Sequence, residues 1–204
     1  ETITNGQRFT TAHPDSQAPY ELSYSAFWSL NEYNVSFVFD GISNADKIVG
    51  SVMHEGWPYS SGSNIISLYM ESEEFVINLA TGYEIDLANV NISPNGNAVV
   101  ALDGNTFIIR NISGDVTVTL AIKAKDYHFT IEDSIYETIS QTSFDVQYDQ
   151  NISALFDNVT FERGGYQVYA LYVGSSMFAT KSGSTWTFNS MYVQNGLYKY
   201  DGDL

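Results

Sequence analysis

VTVTLAIKAKDYHFTI, residues 116–131, is the stretch that decides the fold class. Val116, Val118, Leu120, Ile122 and Ala124 alternate with Thr117, Thr119, Ala121 and Lys123. Successive side chains of a strand point to opposite faces, so this period of two gives one apolar face and one wet face. Tyr127, Phe129 and Ile131 resume the alternation after Lys125-Asp126. That dipeptide reads as the tight turn of a hairpin.

The same period runs outward from this stretch. Tyr20, Leu22, Tyr24, Ala26, Trp28 and Leu30 share one parity and predict a half-buried strand. Val35, Phe37 and Phe39 repeat the pattern, as do Phe75, Ile77 and Leu79, and then Tyr83, Ile85 and Leu87 after the turn Thr81-Gly82. Asp103-Gly104-Asn105 is expected to join strands 98–102 and 106–110. Arg163-Gly164-Gly165 is expected to join 158–162 and 166–173, and short strands near Met177, Trp186 and Tyr192 finish the chain. The best helical window is Asp133–Gln141, whose Thr and Ser content suits a loop as well. About a dozen short strands separated by turn signals predict an all-β, antiparallel sandwich.

The composition excludes several classes of function. Among 204 residues, 44% are hydrophobic, which is enough for a core and too many for a disordered chain. Eight Lys and Arg stand against 24 Asp and Glu, a net charge of −16. Such a surface repels phosphate, so neither nucleic acid nor an anionic membrane is an expected partner. Apolar runs such as Ala98 to Leu102 fall far short of the roughly 18 residues of a membrane helix, so no membrane insertion is expected. With no cysteine there is no disulfide and no thiolate site. So few cations also leave little self-repulsion when the carboxylates are protonated in acid. The start at Glu1 fits removal of a secretory signal peptide.

Five Asn-x-Ser/Thr sequons occur, at Asn34, Asn91, Asn111, Asn151 and Asn158, against about three expected by chance. All lie near strand ends or turns, where an oligosaccharide can project into water, and covalent N-glycans are expected there. His13, His54 and His128 have no ligand spacing, and Asp201-Gly202-Asp203 is only a fragment of a calcium loop, so no metal is expected. Glu73 and Glu74 are adjacent and point to opposite faces of a strand, which is no catalytic pair. No catalytic residue and no cofactor site is assigned, and an enzyme is not expected. Trp28 and Trp186 lie on apolar strand faces and are expected in the core. Trp57, in Glu55-Gly56-Trp57-Pro58-Tyr59, is read as folding back on the core, with a solvent-facing ring that stacks on sugar as the alternative.

The beginning of the chain differs from the rest. ETITNGQRFTT, residues 1–11, is extended in character, with Ile3 and Phe9 at one parity. His13-Pro14-Asp15 and Ala18-Pro19 then make a stiff non-helical joint. The expected plan is a tail and joint over 1–19 and a β-sandwich head over 20–204. An open sandwich edge invites a foreign strand, and a head-to-tail contact of that kind propagates into a filament. Pairing of residues 3 to 9 within their own domain is the competing reading.

A cysteine-free, multiply sequon-bearing all-β chain with a short N-terminal strand resembles the subunit of the archaeal thread, a glycosylated surface filament of thermoacidophiles. The resemblance covers the plan of the whole chain: Glu1 to Ala12 as tail, Pro14 and Pro19 as joint, and Tyr20 onward as head. It implies a pilin-like head and head-to-tail polymerisation of identical subunits by donor-strand complementation. On that plan Ile3, Thr4, Asn5, Gln7 and Phe9 form the donated strand, with Ile3 and Phe9 as anchors. An extracellular, cell-surface adhesion filament is the expected function. A secreted carbohydrate-binding module using Trp57 is the alternative, and a secreted acid hydrolase comes third.

Overall fold

The computed structural model describes residues 9–11, 20–22, 28–132 and 138–204, and the regular structure within them is nearly all strand. β1 (Phe9–Thr11) pairs antiparallel with β2 (Tyr20–Leu22), with Phe9 opposite Leu22. There follow β3 (Glu32–Val38), β4 (Met53–His54), β5 (Trp57–Pro58), β6 (Asn64–Leu68), β7 (Glu73–Val76), β8 (Tyr83–Ile85), β9 (Asn91–Ser93), β10 (Val99–Asp103), β11 (Thr106–Arg110), β12 (Val116–Thr119) and β13 (Ile122–Ala124). They build a five-stranded sheet in the order β10-β11-β7-β4-β5 and a four-stranded sheet in the order β6-β3-β12-β9.

The period of two explains how these sheets close on each other. Val35, Phe37, Val116 and Val118 of one sheet meet Phe75, Phe107 and Ile109 of the other in a single buried cluster. The Phe37 ring lies 4.5 Å from that of Phe75 and 5.0 Å from that of Phe107. Each such side chain contributes about 1.5–3 kcal/mol by leaving water. Among these ladders one is parallel, β12 on β3, with Val116 beside Val35. A parallel pair needs a long crossover, and here the other strands of the sandwich lie between the two in sequence. The β10–β11 hairpin forms as expected, and Gly104 supplies the positive φ of 58° in its turn.

A second buried cluster begins after Lys125. It is built from β14 (Asp126–Thr130), β15 (Thr138–Ile139), β16 (Ser143–Gln147), α1 (Ser153–Asp157), β17 (Phe161–Glu162), β18 (Ala170–Val173), β19 (Ser176–Ser182), β20 (Thr185–Phe188), β21 (Val193–Gln194) and β22 (Leu197–Tyr198). β14 pairs with β16, and β18-β19-β20 form a three-stranded sheet. Phe156, on α1, is the centre of the packing. Its ring lies between 5.3 and 5.9 Å from those of Phe144, Phe178, Phe188 and Trp186.

Several expectations need correction. Lys125-Asp126 does not turn a hairpin, because β13 pairs with β8 while β14 pairs with β16. The Lys125 N–H donates to the Gly82 carbonyl and its own carbonyl accepts from Tyr148, so the chain passes straight from one cluster into the next. The turn Arg163-Gly164-Gly165 holds a single bridge, Arg163 to Tyr166, rather than a hairpin. In the helical window, Thr138 and Ile139 form a strand and 133–137 lie outside the described residues. Trp28 is 75% exposed, not core, and no strand runs through 28–30. Residues 28–31 precede β3 outside any strand, so no described sheet covers the face that Trp28 and Leu30 share. Trp57 is 76% exposed and does not fold back. It follows the tight Glu55-Gly56 turn on edge strand β5, which projects beyond β4. Trp186 is buried as expected.

The two clusters meet at a close contact. Gly82, with φ of 82°, lies under the Tyr148 ring, where an added Cβ would fall 2.1 Å from a ring carbon. Beside it the Tyr83 hydroxyl donates to Asp149 Oδ2 at 2.6 Å, and the Lys199 ammonium bonds Asp149 Oδ1.

Candidate functional site

The site that stands out is a groove along one side of the second cluster. It is flanked by two strand edges. On one side lies β14, continued through Ile131 and Glu132. On the other lies β18, the outer strand of its three-stranded sheet, with a bulge between Leu171 and Tyr172. Three cavities of about 490, 310 and 120 Å³ follow one another along it. The largest is floored by the rings of Phe129, Phe156 and Phe178 and closed at one end by Leu204. The middle one is lined by Ile131, Ile139, Phe161 and Leu171, and the smallest lies against Arg163 and Tyr166.

The backbone on the β14 side is arranged for strand addition. In an antiparallel pair, alternate residues turn their N–H and C=O away from the partner. Ile131 bonds toward β16, donating to Thr142. His128, Thr130 and Glu132 therefore turn to the other edge. Leu204 already uses part of that edge: its N–H donates to the His128 carbonyl and its carbonyl accepts from Thr130. The Thr130 carbonyl and the Glu132 N–H come next and lie along the largest cavity. A strand edge beside an apolar cavity is a binding surface for an extended peptide.

The segment 199–204 that carries Leu204 is held by polar bonds. Asp201 accepts from the Tyr127 hydroxyl and from Lys125, and Asp203 accepts from the His128 N–H. The Tyr127 bond, with Lys125 second, holds the Asp201 carboxyl below its ordinary 3.8. For Asp149, burial pushes the carboxyl up, but hydrogen bonds from Lys199 and Tyr83 and the charge of Lys47 outweigh it and leave it lowered. A carboxylate depressed in the folded state adds stability that is fully present above the unfolded value and is lost as pH falls through the folded one. The urea midpoint is therefore expected to drop below about pH 3.8 as these two groups protonate. Asp201→Asn should lower the midpoint at neutral pH and flatten the acid limb, read by tryptophan fluorescence from pH 2 to 6. An unchanged acid limb in that variant would show that the Asp201 bonds do not matter.

The residues singled out in the sequence fall as follows. All five sequon asparagines are exposed, and the residue between each Asn and its hydroxyl partner is buried or half-buried. In Asn34-Val35-Ser36 and Asn91-Ile92-Ser93 this follows from strand alternation. Thr117 of β12 lies opposite both Ser36 and Ser93, so Asn34 and Asn91 share the outer face of the four-stranded sheet. Of the tail residues, Ile3, Thr4, Asn5 and Gln7 lie outside the described residues, and Phe9 opens β1. Glu73 and Glu74 do face opposite sides: Glu73 is buried and pairs with His54 at 2.7 Å, and Glu74 is exposed. No group of three or more potential metal ligands occurs among the described residues. No helix there is long and apolar enough to cross a membrane.

No known protein family, curated protein or solved structure matches this chain. The groove was not legible in the sequence, because Phe129, Leu171 and Leu204 meet only through tertiary packing. The one local signal is the spacing of Tyr166, Tyr169 and Tyr172, all exposed.

Proposed function

We propose that this protein is the structural subunit of a glycosylated extracellular filament, assembled head to tail by donor-strand complementation. The observation that carries the reading is the groove between β14 and β18. A domain with a slot between two strand edges, floored by Phe129, Phe156 and Phe178, is incomplete as a sandwich. An extended segment from an identical subunit would complete it, and because donor and acceptor are different parts of the chain the contact does not close. The tail 1–11 is the donor, with Ile3 and Phe9 as its apolar anchors, and donation of Phe9–Thr11 exchanges their pairing with Tyr20–Leu22 for the groove of the next subunit. The exposed sequon asparagines would carry glycans that keep the filament surface hydrated. Assembly of this kind needs no catalytic residue and no cofactor.

The exposed ring of Trp57 favours a second reading, a sugar-binding module, since a free indole face can stack on a sugar ring. Negative-stain electron microscopy of the native protein, beside its intact mass, separates the two. Long thin polymers with a mass well above 22.7 kDa per chain are expected. Discrete monomers at the bare mass, with polysaccharide retention that Trp57→Ala removes, would replace the filament by the sugar-binding reading.

A further inference from the structure

We propose a fixed direction and register for the donated strand: Phe9 of one subunit in the cavity beside Leu204 of the next, and Ile3 at the Arg163 end. This rests on the donor-strand reading and adds what the groove dictates about its occupant.

Length comes first. One segment, Tyr166 to Gly174, lines all three cavities in turn. It spans about 26 Å when extended, and Ile3 and Phe9, six positions apart in the tail, span about 20 Å of that length. Size comes second. The cavity beside Leu204 is the largest, about 490 Å³, and is floored by three phenyl rings. Phe9 is the largest apolar side chain of the tail, and ring-on-ring contact adds to its burial. The smaller cavities toward Arg163 suit Ile3.

Charge agrees with size. The lining of the Leu204 cavity contains Glu132 and no Lys or Arg, and Asp203 precedes Leu204. Arg8, next to Phe9, therefore meets carboxylates. At the other end Glu1 meets Arg163, which stands beside Glu162 and lies over the Tyr166 ring. The reverse direction brings Glu1 to Glu132 and Asp203, a like-charge contact, whereas the far cavity holds Glu162 as well as Arg163 and favours neither sign. Leu204 is then the stop that sets register. It occupies the His128 and Thr130 positions of the β14 edge, so an incoming strand begins its bonds at the Thr130 carbonyl and the Glu132 N–H. The donated strand runs antiparallel to β14.

The absence of cysteine makes the test clean, because any disulfide reports an introduced pair. In the full chain, Thr10→Cys with Leu204→Cys and Thr4→Cys with Gln167→Cys are the matched pairs. Thr10→Cys with Gln167→Cys and Thr4→Cys with Leu204→Cys are the swapped pairs. Filaments grown under reducing conditions show that each double variant folds and assembles. On oxidation the matched pairs are expected to shift from monomer to a ladder of multiples on a non-reducing gel, and the swapped pairs to stay monomeric. Ladders from the swapped pairs would reverse the direction. Equal ladders from all four would remove the fixed register, and filaments in which no pair links would move the strand elsewhere. If the unaltered chain forms no filament, the donor-strand reading fails first and the register with it.

Discussion

A chain lacking Glu1 to Thr11 is expected to remain folded and to form no polymers. Among the described residues, every member of both buried clusters lies at or beyond Val35, and each cluster has its own set of buried rings and aliphatic side chains to hold it. What the deletion removes is the proposed occupant of the groove, together with β1 and its pairing to β2. The truncated chain should sediment as a monomer under conditions in which the full chain gives filaments. A synthetic peptide of residues 1–11 should then bind it. At a free concentration 100 times its dissociation constant, the peptide would raise stability by about 2.7 kcal/mol, visible as a higher melting temperature. Filaments from the truncated chain under native conditions would falsify donor-strand assembly through this tail.

The second large effect is in the core beneath the groove. Phe156→Ala is expected to cost about 3–5 kcal/mol, the range for deleting a fully buried ring. Phe156 is 1% exposed and touches the rings of Phe144, Phe178, Phe188 and Trp186, so little can collapse into the space it leaves. The readout is built in. Trp186 is buried and lies 5.9 Å from Phe156, whereas Trp28 and Trp57 are exposed. The change in fluorescence on unfolding therefore follows Trp186, and its urea midpoint should fall sharply. A midpoint shift equivalent to less than about 1 kcal/mol would mean that Phe156 does not hold the groove floor.

Two stretches show how far local pattern reaches. Val116 and Val118 are buried and Thr117 is exposed, as the alternation demands, because the geometry of a strand assigns faces by parity. The run from Tyr20 to Leu30 has an equally clean alternation, yet Trp28 and Leu30 end in solvent. Parity says which residues share a face and does not say whether a partner sheet covers that face. Trp57 makes the same point on an edge strand. The Lys125-Asp126 hairpin fails to form for a related reason. Its residues suit a hairpin, but the Lys125 N–H bonds Gly82, more than forty positions away in the chain.

The candidate site divides along the same line. The unusual tail, the proline joint and the sequons are local features, and each can be read residue by residue. The groove is not local. Among the described residues, it exists because β14 pairs with β16 on one side, because β18 is the outer strand of its sheet, and because Leu204 returns to the β14 edge.

By itself the sequence determined the all-β class, the buried faces of runs such as 35–39, 116–122 and 127–129, and the exposure of the five sequon asparagines. These depend on alternation over a few residues, which the backbone converts directly into geometry. Only the tertiary structure decided that the buried residues described form two clusters, that Trp28 and Trp57 stand in water, and that a groove runs between β14 and β18. Those outcomes depend on which distant strands pair, and pairing is set by the packing of the whole chain rather than by any stretch of it.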